Sequence, residues 1–410
     1  MPGVADIKHP ENLPNYIISD NSWKRNLLII SIAQFIVMIG MSSVIPFMPL
    51  YVRELGVSDP GEANIWSGLI FAGPYILSVI TTPFWGAIGD KYGRKLMIIR
   101  SVFGLSVAVF FMAFVSNVYQ LFALRVFQGA ISGMIASALA FVSANTPNEK
   151  SGYAIGILQS SLSAGNIIGP FVGGIISDFF GIRNVFFLVS FLTFISGVLV
   201  ILMVNEKVRS SSNIIKSSIA TNLKYAMGDI NIRFILILIV VSQAGVNYTN
   251  PIFPYFIEQL HAPAKYLSTI TGSLVAIVGV MSIIFSPIWG KRNDKKGYKM
   301  QVMVASLIIS MVAFIHPLIQ HYIYLYPLRA LAGIFFAAIL PSLYAGLNKL
   351  TPNESKGGVM GIASSANLVG ILIGYSTCGF LASAFGIVST FIISGFLLLM
   401  VVFLLIKKNG

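Results

Sequence analysis

Gly86-Ala87-Ile88-Gly89-Asp90-Lys91-Tyr92-Gly93-Arg94-Lys95 is written a second time in this chain, as Gly290-Lys291-Arg292-Asn293-Asp294-Lys295-Lys296-Gly297-Tyr298-Lys299. Each copy is a short charged gap between long apolar runs, and each follows Pro-x-Trp, with Pro83 and Trp85 before the first and Pro287 and Trp289 before the second. A charged hairpin repeated once per half makes the chain two homologous halves. Other pairs repeat at the hairpin's offset of 204 residues, Arg125 with Arg329 and Gly129 with Gly333, or one residue further on, at 205: Pro46-x-x-Pro49 with Pro251-x-x-Pro254, and Gly165 and Gly169 with Gly370 and Gly374.

The runs between these markers set the solvent. Of 410 residues 56% are hydrophobic and 10% charged, against roughly 25% charged in an average soluble domain. About 20 apolar residues span a bilayer as a helix, and twelve such runs are predicted: 27–50, 65–89, 96–115, 119–142, 153–177, 184–204, 233–256, 267–289, 300–318, 321–346, 357–382 and 387–406. They are too long and too uniformly apolar for strands of a membrane barrel, which alternate over about ten residues. The predicted fold class is an all-α membrane protein with two six-helix halves. Six crossings per half give both halves the same orientation, so the axis relating them lies along the membrane normal with a cavity between them.

The boundaries follow from the one long connection, Asn205 to Ile232. Residues 1–204 form the first bundle, 205–232 a linker with an amphipathic segment near Ile214 to Met227, and 233–410 the second bundle. The first apolar run lacks the cleavage pattern of a signal peptide and reads as an uncleaved first helix. Cys378, the single cysteine, excludes an intrachain disulfide and a cysteine-rich metal site.

The net charge of +13 would suggest nucleic acid in a soluble protein. Here its distribution decides otherwise. With both ends on one side, Arg53, Arg183 and Lys265 alone fall opposite and Arg125 and Arg329 fall within spans, while the rest of the 27 basic residues gather on the side of the ends. The positive-inside bias places both termini in the cytoplasm. The partners expected are a lipid bilayer and a small-molecule substrate, with no nucleic acid, and the chain is expected to act as a monomer.

Three constellations carry the functional reading. Asp90 and Asp294 are acids in basic loops, which hydropathy alone does not ask for. Such a carboxylate suits a buried arginine or the positive end of a helix. Arg125 and Arg329 lie within spans, where a charge costs at least about 2.5–3.5 kcal/mol and marks function or an interface it can snorkel to. In the fifth span Gly165, Gly169 and Gly173 recur every four residues and present a smooth face for a close helix, with Gly174 beside them and Pro170 removing a backbone hydrogen bond. The eleventh span keeps Gly370, Gly374 and Gly379 but has Tyr375 and Cys378 where Pro170 and Gly173 stand.

These motifs, together with Trp23-Lys24-Arg25-Asn26-Leu27, Pro46-Phe47-Met48-Pro49-Leu50-Tyr51-Val52 and Trp66-Ser67-Gly68, resemble the major facilitator superfamily over essentially the whole chain. Within it the chain resembles the twelve-helix drug:H+ antiporters that include multidrug efflux proteins of bacterial inner membranes. The resemblance implies that Asp90, with Arg94 beside it, pairs with Arg125 and with the start of the eleventh helix near Gly357. Arg125 then takes part in proton transfer, Asp294 and Arg329 are the second-half counterparts, and Gly165, Gly169, Pro170, Gly173 and Gly174 form the antiporter motif. By the same analogy the cavity is lined from the first, fourth, seventh and tenth spans by Gln34, Met38, Phe47, Met134, Gln243, Asn247, Tyr248, Asn250, Phe335, Phe336 and Tyr344. Met and aromatic walls with a few amides would suit amphipathic ligands of varied shape.

One departure bears on the substrate. None of the 14 acids falls in the middle of a predicted span, so the membrane-buried carboxylate of many drug antiporters is missing and Gln34 is all the first helix offers. Asp90 with Arg125, Glu54, Glu258, His316 and His321 are the remaining groups for proton coupling, the two histidines being expected in a solvated external loop. No G-x-x-x-x-G-K-[ST] phosphate loop exists in the sequence, which excludes that ATP site. The expected activity is therefore secondary active efflux, not enzymatic, with no cofactor and the proton gradient as energy source. The alternative is a dedicated exporter of an endogenous anionic metabolite such as a siderophore.

Overall fold

A computed structural model describes residues 22–206, 219–352 and 355–408. Within the expected linker, residues 207–218, including the start of the amphipathic segment at Ile214, lie outside them, as do the side chains of Asp90 and Asp294. The described chain is helical throughout. The first half comprises α1 (Ser22–Ser43), α2 (Met48–Glu54), α3 (Pro60–Tyr92), α4 (Arg94–Met112), α5 (Val118–Ala130), α6 (Met134–Asn145), α7 (Ser151–Phe180) and α8 (Ile182–Met203). After α9 (Ile219–Gly228) the second half comprises α10 (Ile230–Asn247), α11 (Phe253–Gln259), α12 (Leu267–Lys296), α13 (Tyr298–Ile315), α14 (Leu325–Leu350), α15 (Lys356–Phe385) and α16 (Ile387–Lys407). These supply 12 candidate membrane spans, the number predicted. Ser22 and Lys408 therefore lie on one side, here called the near face, and α2 and α11 lie on the other, the far face.

Helix ends follow local chemistry. The Asp59 side chain accepts from Glu62 N at 2.8 Å and starts α3, and Asp229 does the same for α10 at 2.7 and 3.1 Å. Gly93 (φ 103°) and Gly297 (φ 76°) turn the two charged hairpins through a left-handed conformation that only glycine adopts cheaply. Helical pairs then pack where a missing side chain lets backbones meet. A Cβ added to Gly165 would strike Met38 and Phe35 of α1, and one added to Gly370 would strike Gln243 and Val240 of α10.

The internal repeat extends to individual hydrogen bonds. Trp85 Nε1 donates to Ala130 O and Trp289 Nε1 to Ile334 O, each at 2.7 Å. Ser78 Oγ donates to Gly129 O at 3.2 Å and Ser282 Oγ to Gly333 O at 3.0 Å. Ser106 donates to Ser190 O and Ser310 to Gly395 O, each at 2.9 Å. Buried polar groups are held to such partners because an unmet one in lipid costs several kcal/mol. The halves differ in the fourth and tenth spans: the fourth breaks between α5 and α6 at Gly133 (φ 122°), whereas α14 continues through the equivalent Ala337.

Candidate functional site

The two halves meet along two seams, α3 against α15 and α7 against α12. Both seams are tight toward the far face. Gly68 of α3 abuts the backbone of Tyr375 and Gly379, Gly379 abuts Asn64 and Ile65, and Gly272 of α12 abuts Pro170. Toward the near face the same helices part: a Cβ added at Gly86, Gly152, Gly156, Gly290, Gly357 or Gly361 would meet nothing within 4 Å. Further contacts between the halves, α2 with α11, α2 and α3 with the Asn250–Ile252 turn, and α7 with the Ala264–Tyr266 turn, are also at the far face.

Polar groups lock that face. Arg53 Nη1 donates to Glu258 Oε2 at 2.6 Å, and its guanidinium lies 4.2 Å over the Tyr255 ring. Tyr255 Oη donates to Pro49 O at 2.6 Å. On the α7–α12 seam the Asp178 carboxylate accepts from Ser268 N at 3.1 Å and Thr269 N at 2.7 Å, so an acid of the first half caps a helix of the second. At the α3–α15 seam the position equivalent to Asp178 is Ser383, which lies against Gly61. Glu54 is near the lock; burial pushes its carboxyl above the ordinary value, with Arg183 opposing.

At the near face Glu206 holds the first charged hairpin. Its carboxylate accepts from Arg94 N at 2.8 Å and Lys95 N at 2.9 Å, capping α4, and Lys95 Nζ donates to Ile201 O at 2.9 Å. Gly297 in the second hairpin has no neighbour within 4 Å of an added Cβ.

Arg125 is buried, at 9% exposure, but not beside Asp90. Its Nε donates to Ile70 O at 3.1 Å and its Nη1 to Gln128 Oε1 at 3.0 Å. Ile70 and Asp90 belong to one helix, α3, and at 1.5 Å per residue they stand roughly 30 Å apart along it. The expected pairing of Asp90 with Arg125 is thereby corrected: Arg125 sits toward the far face, Asp90 at the near end. Tyr75 and Tyr375 flank Arg125, their rings 5.7 Å apart across the α3–α15 seam. From Tyr375 a polar line runs into the second half, since Asn250 Nδ2 donates to Tyr375 Oη and to Asn247 Oδ1, each at 3.3 Å.

That line ends at a cavity of about 160 Å³ in the second half, bounded by Asn247, Asn250, His316, Arg329, Ala332 and Phe336 among others. His316 is therefore not in a solvated loop. It is 4% exposed, because the ninth span continues into a short turn at His316–Leu318 that packs under Phe391, with the rings stacked at 5.1 Å. His316 Nδ1 lies 2.7 Å from Val312 O, so it carries the proton and donates.

Of the predicted cavity residues, Asn247, Asn250 and Phe336 line this pocket. Gln34, whose Nε2 donates to Leu158 O at 3.0 Å, and Met38, against Gly165, sit between α1 and α7. Gln243 faces Gly370, Phe47 and Met134 belong to the first core, and Tyr248 is buried with them. Phe335 and Tyr344 pack against the second core. The glycine–proline run of α7 divides in two: Gly165, Gly169 and Gly173 let α7 approach α1, while Gly174 and Pro170 meet α12 across the seam. The helix α7 runs on through Pro170. Arg53, Glu258 and Asp178 as a lock, and Glu206 as a cap, were not predicted; each has its partner in another part of the chain.

A family model described as Major Facilitator Superfamily matches residues 30–233 and 235–409. The chain is 32% identical over 377 residues to Multidrug resistance protein MdtG of Proteus mirabilis (strain HI4320), covering 91% of this chain and 92% of that one. It is 30% identical over 369 residues to the Uncharacterized MFS-type transporter YuxJ of Bacillus subtilis (strain 168), covering 89% and 94%. Among solved structures it is similar to nucleoside transporter NupG (TM-score 0.78, 14% identity, 94% of this chain and 99% of that one). A bacterial homolog of the human lysosomal transporter Spinster, in an inward-facing and occupied conformation, is as close (TM-score 0.78, 14% identity, 95% and 97%). With its twelve spans and paired halves, this chain is a multi-pass membrane transporter that belongs to the major facilitator superfamily.

Proposed function

We propose that the protein is a secondary active exporter of amphipathic toxic compounds, driven by proton antiport through alternating access. The observation that carries this reading is the one-sided packing of the halves, closed at the far face and parted at the near face. Such an arrangement is one end state of a rocking cycle about a midplane site. The concentration of Lys and Arg at the near face supports reading that face as cytoplasmic, and with it a location in the inner membrane with both termini on the cytoplasmic side. Similarity to Multidrug resistance protein MdtG supports efflux as the direction. Asp90 and Asp294, at the near ends of α3 and α12, stand where latches for the opposite state belong.

Purified protein in liposomes tests the reading. A fluorescent amphipathic dye should move against an imposed proton gradient and stop when the gradient is collapsed; movement indifferent to the gradient would overturn the coupling. A second reading, export of one endogenous anionic metabolite, is favoured by the arginine in the second-half cavity, which among the described residues has no acid paired with it. A deletion strain screened against a panel of toxicants separates the two, since a dedicated exporter leaves most sensitivities unchanged.

A further inference from the structure

Arg125 and Arg329 occupy equivalent positions but not equivalent surroundings. The edge of the Arg125 guanidinium is met by Ile70 O and Gln128 Oε1. Three residues after Arg329 the chain has Ala332 in place of the glutamine. That exchange removes an acceptor and leaves space, and Ala332 is indeed part of the cavity wall. Among the described residues the Arg329 guanidinium has no hydrogen bond or ion pair, and its Nε is buried without an acceptor. Phe253 lies 3.6 Å beneath it. A ring satisfies the face of a guanidinium, whereas the five N–H donors point outward in its plane. In a membrane interior an unanswered charge is costly, and no acid of the described chain stands near enough to answer it.

The cavity offers a second unmet group. His316 Nε2 is buried without a partner, and in the tautomer set by Val312 O it is free to accept from a ligand's hydroxyl or, when protonated, to donate. Apolar Val278 and Phe391 close other sides. At about 160 Å³ the space is below the 300–1,000 Å³ that holds a whole drug-sized ligand and fits a single compact head group.

The geometry points to an anion subsite in the second half, in which Arg329 binds one compact anionic group, a carboxylate or a halide, with His316 beside it. The subsite deepens the exporter reading, on which it rests for its purpose, and selects substrates that carry one negative group on an apolar body. Binding itself requires only the cavity.

Purified full-length protein in detergent, unfolded thermally in a buffer whose ionic strength is held with gluconate, is titrated with sodium benzoate, with benzamide and with sodium chloride. Benzoate is expected to raise the midpoint saturably, on the order of 2 °C at ten times its dissociation constant, and neutral benzamide to leave it unchanged. Arg329→Gln should abolish the shift. Ala332→Gln, which restores the partner found at Gln128, should abolish it as well while the protein remains folded, so the test survives an unstable arginine variant. Chloride that shifts the midpoint and competes with benzoate identifies a free inorganic anion as the occupant; benzoate alone identifies an organic carboxylate. Absence of any anion-dependent shift, or a shift unaltered by both variants, overturns the subsite and leaves water as the partner of Arg329. Failure of dye transport with benzoate binding intact would overturn the exporter reading and not the subsite.

Discussion

Arg53 and Glu258 lie 205 positions apart, the offset that relates the two halves, so the ion pair locking the far face joins two equivalent positions across the molecular axis. A twofold with like residues at both places would bring two like charges together. With arginine at one position and glutamate at the other, the contact is attractive, at 2.6 Å.

The pair is 38% and 42% exposed, and a pair of that kind contributes about 0.2–1 kcal/mol. Glu258→Gln is therefore expected to shift the balance away from the far-closed state by up to about fivefold, and the charge swap Arg53→Glu with Glu258→Arg to restore it. Spin labels on the far ends of α3 and α12 would read the populations. An unchanged distance distribution in Glu258→Gln would mean the pair is incidental.

Asp178→Ala should act in the same direction through the other seam. It removes a carboxylate cap from the first amides of α12, worth about 1 kcal/mol. Because Asp178 and Glu258 share no partner, their effects on the same labels should add.

The glycines of α7 predict a stability contrast. Gly173→Val drives a side chain into the Ser43 backbone, an overpacking expected to cost about 1–3 kcal/mol or more, with a lowered midpoint and loss of folded protein. Gly86→Ala meets nothing and should unfold at or above the wild-type temperature, since alanine favours the helix by about 1 kcal/mol. Size-exclusion chromatography and thermal unfolding check both.

Glu206→Gln should loosen the first charged hairpin by about 1 kcal/mol, as a weakened helix cap does, and should raise hydrogen exchange at Arg94 and Lys95 before other near-face amides. Equal exchange in the variant would show that the capping bonds do not limit opening there.

How much of this was legible beforehand follows from where each partner lies. The spans, the paired halves and the hairpin turns could be read because apolar length and repeated motifs are local properties. The repeat even predicts bonds, as Trp85 and Trp289 show. The lock could not be read: Arg53 and Glu258 sit on the short helices α2 and α11, whose meeting depends on how the halves dock, and Asp178 looks like any helix-end acid until α12 is placed against it. The pairing of Asp90 with Arg125 failed because a charge match ignores that one continuous helix separates them. The vacant partner of Arg329 was partly visible in the comparison of Gln128 with Ala332, but the cavity left by that exchange needed the fold.

Reciprocal motion of the two faces is the central claim, and one paired distance measurement tests it most directly. Cysteines introduced by Gly86→Cys and Gly361→Cys report the near ends of α3 and α15; Gly56→Cys and His261→Cys report the far face. The one native cysteine, Cys378, is buried and will not compete for label. In lipid nanodiscs, lowering the pH or adding a transported dye should shorten the near-face distance while the far-face distance lengthens. Distances that stay fixed at both faces, or that change in the same sense, would contradict alternating access in this protein.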